Sequence, residues 1–401
     1  MKIPPYWTDP LRDEFDVTVI GCTKSGSDYE IEVDREVARA EGGGQASDRG
    51  TLVFDGGSVA VHSVASRNDH EVMLSRDPAP VGISARFLLD MPWRRAMMRN
   101  HSGEHLFVSA LKTHHSDIEI SRLWIDGWHG TIWVRCSGLR FEDVIRAESK
   151  VNEWIAQGIE STSEIVEADR LDRSVRARES VVERHSFVRV ISFGKHDRTA
   201  CSGTHVTNTS DIGLFKVVDF RTHDDHAELE FVTGDTAVSF CTRLCNVVLQ
   251  RRHTHPLEYE QLGPVLDKAR NTESKYRQLL DTSEGLLLRS MRAMSVSGAS
   301  FVTEYLPGFE LSRLRGLVKK MPINGPTVVF LFVPSEKPGF LLLTHQVPLS
   351  VMDRTQQVLR ELGGRGGGTG DIYTGGFPES TDPDRLYAAM TDVLLRALQE
   401  T

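Results

Sequence analysis

No run of apolar residues in this chain approaches the length of a bilayer crossing, and the opening Met-Lys-Ile-Pro-Pro-Tyr-Trp-Thr-Asp-Pro holds no apolar signal region. With neither feature, the cytoplasm is the expected compartment. Cysteine is scarce: five in 401 residues, an odd and sparse set that argues against a disulfide framework. Nothing repeats at a fixed period. Positive charge is short as well, with 47 Lys and Arg against 56 Asp and Glu, a net charge of −9. Phosphate contacts need clustered cations, so any nucleic-acid partner must be met by local patches. Three patches stand out: Arg94, Arg95 and Arg99; Arg170, Arg173, Arg176 and Arg178; and Arg313, Arg315, Lys319 and Lys320. Solvated helix faces are the ordinary reading of such clusters. Composition therefore neither requires nor excludes RNA.

What is present describes a globular protein of two or three domains, with 39% apolar and 26% charged residues. The overall class is α+β. Over 1–91, short alternating stretches predict a small β-barrel: Asp16–Ile20, Glu30–Val33, Gly50–Phe54, Ser58–His62 and Ala85–Leu89. Over 92–250 an α+β domain is expected, with helices over Trp93–Lys112 and Phe141–Gln157 and strands over Thr131–Arg135 and Val188–Ser192. Cys241 and Cys245 read as buried small hydrophobes on its last helix. A loose heptad from Leu262 to Leu286 predicts a helical hairpin or short coiled coil over 257–296. An α/β module fills 297–401, with strands Ser300–Thr303, Thr327–Val333 and Gly339–Thr344, and helices Leu311–Lys320, Leu349–Leu362 and Pro383–Leu398. It contains the glycine-dense Gly363–Asp371.

Two half-sites carry the chemistry: His101-Ser-Gly-Glu-His105 and Cys201-Ser-Gly-Thr-His205. Residues four apart share a helix face, so His101 and His105 can reach one ion. Three imidazoles and a thiolate suit one tetrahedral Zn²⁺. With fifteen histidines in the chain the first motif is weak alone, whereas Cys-x-x-x-His is rarer. His101-x-x-Glu104-His105 also fits an inverted zinc-protease pattern, but that needs a third, carboxylate ligand and leaves the second half-site unexplained. The glycine run lacks the lysine and register of a phosphate-binding loop, so no ATP is expected.

With Glu41-Gly-Gly-Gly-Gln45 upstream, the order of motifs resembles the editing domain of alanyl-tRNA synthetase and its free-standing relatives, the AlaX proteins. Arg99-Asn precedes the first half-site, and Ile212-Gly-Leu-Phe-Lys216 follows the second. The likeness continues into the C-terminal module, which is similar to the synthetase's C-Ala (DHHA1-like) domain, and so covers nearly the whole chain. It implies hydrolysis of an aminoacyl ester on tRNA, with Ser, Gly or a threonine-type residue removed and a fluorothreonyl-tRNA deacylase as one specialised variant. A catalytically idle tRNA-binding protein is the alternative. No synthetase activation domain is expected, since the glycine loop begins at Gly42.

The resemblance assigns His101, His105, Cys201 and His205 to one Zn²⁺ per chain. It places Gln45, Thr204 and His205 at the catalytic position, and directs Gly43, Gly44, Gln45, Arg99 and Arg365 toward substrate or tRNA. His205 is the ligand expected to exchange for water or the substrate amine. A homodimer through the C-terminal region is a further expectation. Three departures from the family pattern are plain: Val37-Ala-Arg-Ala40 stands where an aromatic is common, Ser202 replaces the more usual glycine, and His223-Asp-Asp-His-Ala-Glu-Leu-Glu230 stands where arginines are usual.

Overall fold

The computed structural model describes residues 3–67, 70–172, 174–177, 186–379 and 382–400. Arg173 and Arg178 of the second basic cluster fall outside them. The chain divides into two compact units, Met1–Pro256 and Leu257–Thr401.

The first unit opens with a short helix, α1 (Pro5–Thr8), and then a closed barrel. Its strands are β1 (Glu14–Ser25), β2 (Asp28–Val33), β3 (Gly50–Phe54), β4 (Gly57–Arg67), β5 (His70–Ser75) and β6 (Ser84–Leu89), in the order β1-β2-β5-β4-β3-β6. Alternation does the sorting: Val17, Val19, Ile31, Leu52, Val59, Val61 and Phe87 turn inward and close the interior. β5 escaped the sequence reading because a bulge between Val61 and Ser63 shifts its partner, and Val72 and Met73 are both buried in succession.

Helix α2 (Met91–Lys112) follows, capped by the Asp90 carboxylate, which accepts the Trp93 N–H at 3.0 Å. Beyond it come β7 (Glu119–Ile125), β8 (Gly130–Arg135), α3 (Phe141–Ala156), β9 (Ser161–Glu167), β10 (Phe187–Phe193) and β11 (Asp197–Ala200). β12 (Phe215–His223), β13 (His226–Thr233) and α4 (Gly234–Thr254) complete the unit. The strands form two antiparallel sheets, β12-β13-β8-β7 and β11-β10-β9. Phe107, Ile132, Val144, Val151, Phe215 and Phe231 fill the space between α2, α3 and the larger sheet. Cys241 and Cys245 are not buried: Cys241 is half-buried and Cys245 exposed. Only Gly234 and Ala237 of α4 are buried, because the helix projects beyond its first turn and leaves its apolar side chains without a packing surface.

In the second unit, the 29-residue α5 (Leu262–Ser290) is one continuous helix where a helical hairpin or short coiled coil was expected. A six-stranded sheet follows in the order β14-β15-β16-β17-β19-β18. Its elements are β14 (Met294–Val296), β15 (Ala299–Tyr305), α6 (Leu311–Lys319), β16 (Thr327–Val333), β17 (Gly339–His345), α7 (Leu349–Glu361), β18 (Arg365–Thr369), β19 (Ile372–Gly376) and α8 (Pro383–Gln399). Only β15 and β16 pair in parallel, across the α6 crossover. β16 is buried along its whole length, with α7 and α8 covering one face of the sheet and α6 the other. The glycine run is a strand and not a loop. A Cβ at Gly368 would sit 2.0 Å from the Ile372 carbonyl oxygen, so glycine is what lets β18 lie against β19.

Candidate metal centre and its cavity

Helix α2 is buried around most of its circumference from Met97 to Leu111, and His101 and His105 lie inside that stretch. Cys201 continues directly from β11, with its N–H on the Arg189 carbonyl at 2.8 Å. The Arg189 guanidinium then grips the Gly203 carbonyl at 2.6 Å, bending the chain so that Cys201 and His205 face the helix. All four donors converge. One ligand atom from each lies within 4.8 Å of the others, and Cys201 Sγ stands 3.4 Å from His101 Nε2 and 3.3 Å from His205 Nε2. A tetrahedral zinc with ordinary bond lengths puts its sulfur and nitrogen ligands about 3.6 Å apart.

The stronger test of fit is the other edge of each ring. His101 Nδ1 is 2.7 Å from Gln45 Oε1, His105 Nδ1 is 3.1 Å from Asp197 Oδ2, and His205 Nδ1 is 3.2 Å from Ser102 Oγ. Each outer partner claims an Nδ1–H, which leaves the Nε2 lone pair free to converge on a cation. Asp197 is fixed in turn by the Thr199 hydroxyl (2.8 Å) and Arg176 (3.3 Å), and Arg176 also reaches Glu104 (3.4 Å).

Burial alone would push the Cys201 thiol up, yet His101 and His205 beside it hold it well below its usual range. Burial likewise disfavours charge on His105, but hydrogen bonds to Asp197 and Cys201 raise it to about 10. His205 is driven well below its ordinary value by burial and the neighbouring His101. The donors thus include a ready thiolate and a neutral imidazole, as a thiophilic divalent cation requires.

Gln45 is fully buried. Besides His101, its Oε1 accepts the Thr204 N–H at 3.2 Å and its Nε2 donates to Thr204 Oγ1 at 2.8 Å. Gln45 therefore locks both half-sites together across the boundary between the barrel and the α+β layer. Its loop docks on β7, with the Ile125 N–H on the Gly44 carbonyl (2.7 Å) and the Ala46 N–H on the Ile125 carbonyl (2.8 Å). Gly44 sits at φ 87°, and a Cβ there would be 2.6 Å from the Leu123 carbonyl oxygen. Gly203 is equally constrained: a Cβ would lie 2.2 Å from the His101 ring.

Arg39, the departure from the usual aromatic, is buried and donates to the carbonyls of Ala40 (3.0 Å), Gly42 (2.7 Å), Gln45 (3.1 Å) and Ala46 (3.1 Å). It is the clamp that holds the Gln45 loop in shape.

A cavity of about 650 Å³ opens onto this centre. His101, His105 and Cys201 form part of its lining with Gly43, whereas His205, Thr204 and Gln45 lie behind them. Trp7 of α1 makes another part of the wall, its Nε1–H donating to the Ser202 carbonyl at 3.1 Å. Lys112, Arg176 and Arg189 give the lining positive charge.

Other expected contacts lie elsewhere. Arg99 donates to the Asp211 carbonyl at 2.8 Å and borders a separate cavity with Pro92, Asn100 and Thr233. Arg94 is buried against Asp48, Nε to Oδ1 at 2.6 Å, so it offers nothing to a phosphate. Arg313 and Lys320 bind Glu284 of α5 at 2.7 and 3.3 Å. Arg365 lies on exposed β18 of the second unit. The 223–230 segment forms the exposed tip and the first part of the β12–β13 hairpin. Glu104 turns to Arg176, and the fold supplies Cys201 and His205 where the protease pattern needs a carboxylate.

Sequence reasoning missed Asp197, Thr199 and Trp7, and met Arg176 only in a basic cluster and Arg39 only in the 37–40 departure. Ser102 and Glu104 were at least inside a motif, but the others carry no spacing that could have marked them.

Residues 188–232, which span the second half-site, match the second additional domain of threonyl- and alanyl-tRNA synthetases. Along its length the chain is 25% identical over 410 residues to the alanyl-tRNA editing protein AlaX-L of Pyrococcus horikoshii, covering 98% of each chain. Among the described residues no helix is long and apolar enough to cross a membrane. With the domain match lying on the ligand-bearing turn and the likeness running end to end, the chain is similar over its whole length to an AlaX-type editing protein.

Proposed function

We propose that this chain is a zinc-dependent trans-editing hydrolase that removes Ser, Gly or a threonine-type residue from a mischarged tRNA. Its likeness to an alanyl-tRNA editing protein supports an aminoacyl-tRNA deacylase cleaving the ester on the terminal ribose. The observation that carries the zinc-dependent reading is the placement of His101, His105 and Cys201 in the lining of a cavity whose remaining wall mixes apolar side chains such as Trp7, Ile118 and Leu123 with the charged Lys112, Arg176 and Glu119.

A bound zinc would supply Lewis acidity and an anchor for the amino acid's polar groups. The protein's own part is orientation. Gln45, Asp197 and Ser102 each hold one imidazole by its Nδ1. Thr204 is spent on Gln45, so we assign both as positioning groups behind the centre. Lys112 offers charge to the terminal phosphate, and Trp7 offers a flat face to a sugar or base. Holding an already activated ester in one pose provides much of the rate in such a site. The geometry favours substrate entering from the His101–His105–Cys201 face, with His205 outside the cavity lining.

The test is a deacylation panel of Ser-, Gly-, Ala- and Thr-charged tRNA Ala and tRNA Thr, with fluorothreonyl-tRNA included and zinc measured on the same sample. Turnover of at least one non-cognate pair by zinc-loaded protein, lost on stripping, is expected. No turnover of any pair by fully loaded protein returns the idle tRNA-binding reading.

A further inference from the structure

A second set of donors converges just past the C-terminal end of α2. His115, Asp117 and Cys136 each offer one ligand atom, and these atoms all lie within 4.8 Å of one another. His115 sits in the turn between α2 and β7, its N–H on the Leu111 carbonyl at 3.0 Å. Cys136 ends β8 and is fixed by its N–H on the Asp225 carbonyl at 2.8 Å. Neither residue belongs to a motif used above.

The imidazole is already oriented. His115 Nε2 stands 3.2 Å from the carboxylate of Asp143, a buried residue that also accepts the Arg140 N–H at 3.2 Å and pairs with Arg146 at 3.5 Å. A histidine that gives one N–H to a carboxylate presents the other nitrogen as a lone pair, the arrangement found behind metal-binding imidazoles. That nitrogen, Nδ1, faces Cys136 Sγ at 3.7 Å. Zinc bond lengths and a tetrahedral angle put sulfur and nitrogen about 3.6 Å apart. The sulfur is buried, the imidazole half-buried and Asp117 exposed, so a fourth position faces solvent.

We propose that His115 Nδ1, Asp117 and Cys136 Sγ bind a second Zn²⁺, with Asp143 orienting the imidazole from behind. On binding, the Cys136 thiol proton passes to solvent and no electron moves. The ion would staple the α2–β7 turn to the end of β8. Lys112 before that turn and Ile118, Glu119 and Ile120 after it line the large cavity, so the staple would set the position of that wall. This site stands apart from the editing reading and does not depend on it.

Full-length protein, stripped with chelator, reloaded with Zn²⁺ and desalted, tests it by metal counting. Two zinc ions per chain are expected, falling to one in Cys136→Ser and in the surface variant Asp117→Asn, which leaves the packed residues in place. One zinc per chain in the parent, or two in both variants, overturns the proposal. In a Cys201→Ser background loaded with Co²⁺, thiolate-to-metal charge-transfer absorption should persist and then vanish on adding Cys136→Ser. Its absence before that second change, or its survival after it, overturns the proposal equally. Neither readout involves tRNA, so a failed deacylation panel leaves both results interpretable.

Discussion

Helix α2 carries one donor cluster in its middle and leads into another at its end, and the two treat cysteine in opposite ways. Burial raises both thiols. At Cys201 the neighbouring imidazoles of His101 and His205 outweigh it and hold the thiol well below its ordinary value. At Cys136 the neighbours are Asp117 and Asp143, which add to burial and push the thiol further up. Sign of the local charge, and not depth, decides whether a buried cysteine waits as thiolate or thiol. The orienting groups differ too. The middle cluster draws them from three elements, the barrel loop (Gln45), β11 (Asp197) and α2 itself (Ser102), whereas the end cluster relies on Asp143 alone.

Removing a donor separates the clusters most sharply. His101→Ala or Cys201→Ser should lower single-turnover deacylation by more than about 100-fold, beyond the 10–100-fold typical of losing an outer partner. Zinc content should fall by one ion per chain. His205→Ala should lose the same ion, since His205 is buried behind the centre; retention of most of the zinc would restore the exchange role expected from sequence. Next in size is Arg39→Met, which strips the Gln45 loop of its clamp and strands four carbonyls. A loss of about 3 kcal/mol in unfolding free energy is expected by denaturant titration.

Gln45→Ala should weaken zinc at the middle cluster 10–100-fold by competition with a chelator, with Asp143→Asn weakening only the end cluster by a similar factor. Equal effects of either change on both clusters would erase the distinction. The smallest effect is a proton count. His105 in the metal-free protein keeps its proton up to about pH 10, and a zinc ligand must be neutral. Loading zinc at pH 8 should therefore release about one proton from His105, and affinity should fall as pH falls. Calorimetry in buffers of different ionisation enthalpy reads that proton.

Much of this was legible beforehand where a local period carried it. The helix over Trp93–Lys112 matches α2, and Thr327–Val333 is β16 to the residue. Pairs four apart on one helix turn, and alternation along a barrel strand, are short-range patterns that survive in a linear text. The failures share a cause. Arg94 reads as a surface cation because Asp48, its buried partner, is far off in sequence. The hydrogen bonds of Gln45 to Thr204 and His101 go unread in the same way, because both partners lie far along the chain. The strand within the glycine run goes unread because the close approach of β19 is invisible until the strands pair.

By itself, then, the sequence determined the ligand types, their pairing into two half-sites and the family those motifs resemble. Residue chemistry and spacing are enough for that. Only the tertiary structure decided which edge of each imidazole is held by an outer partner, which side of the donor cluster faces the cavity, and which groups Arg39 and Gln45 hold by hydrogen bonds. Those depend on hydrogen bonds between residues up to about 160 positions apart in the chain, and such contacts exist only once packing has brought barrel, helix and sheet together.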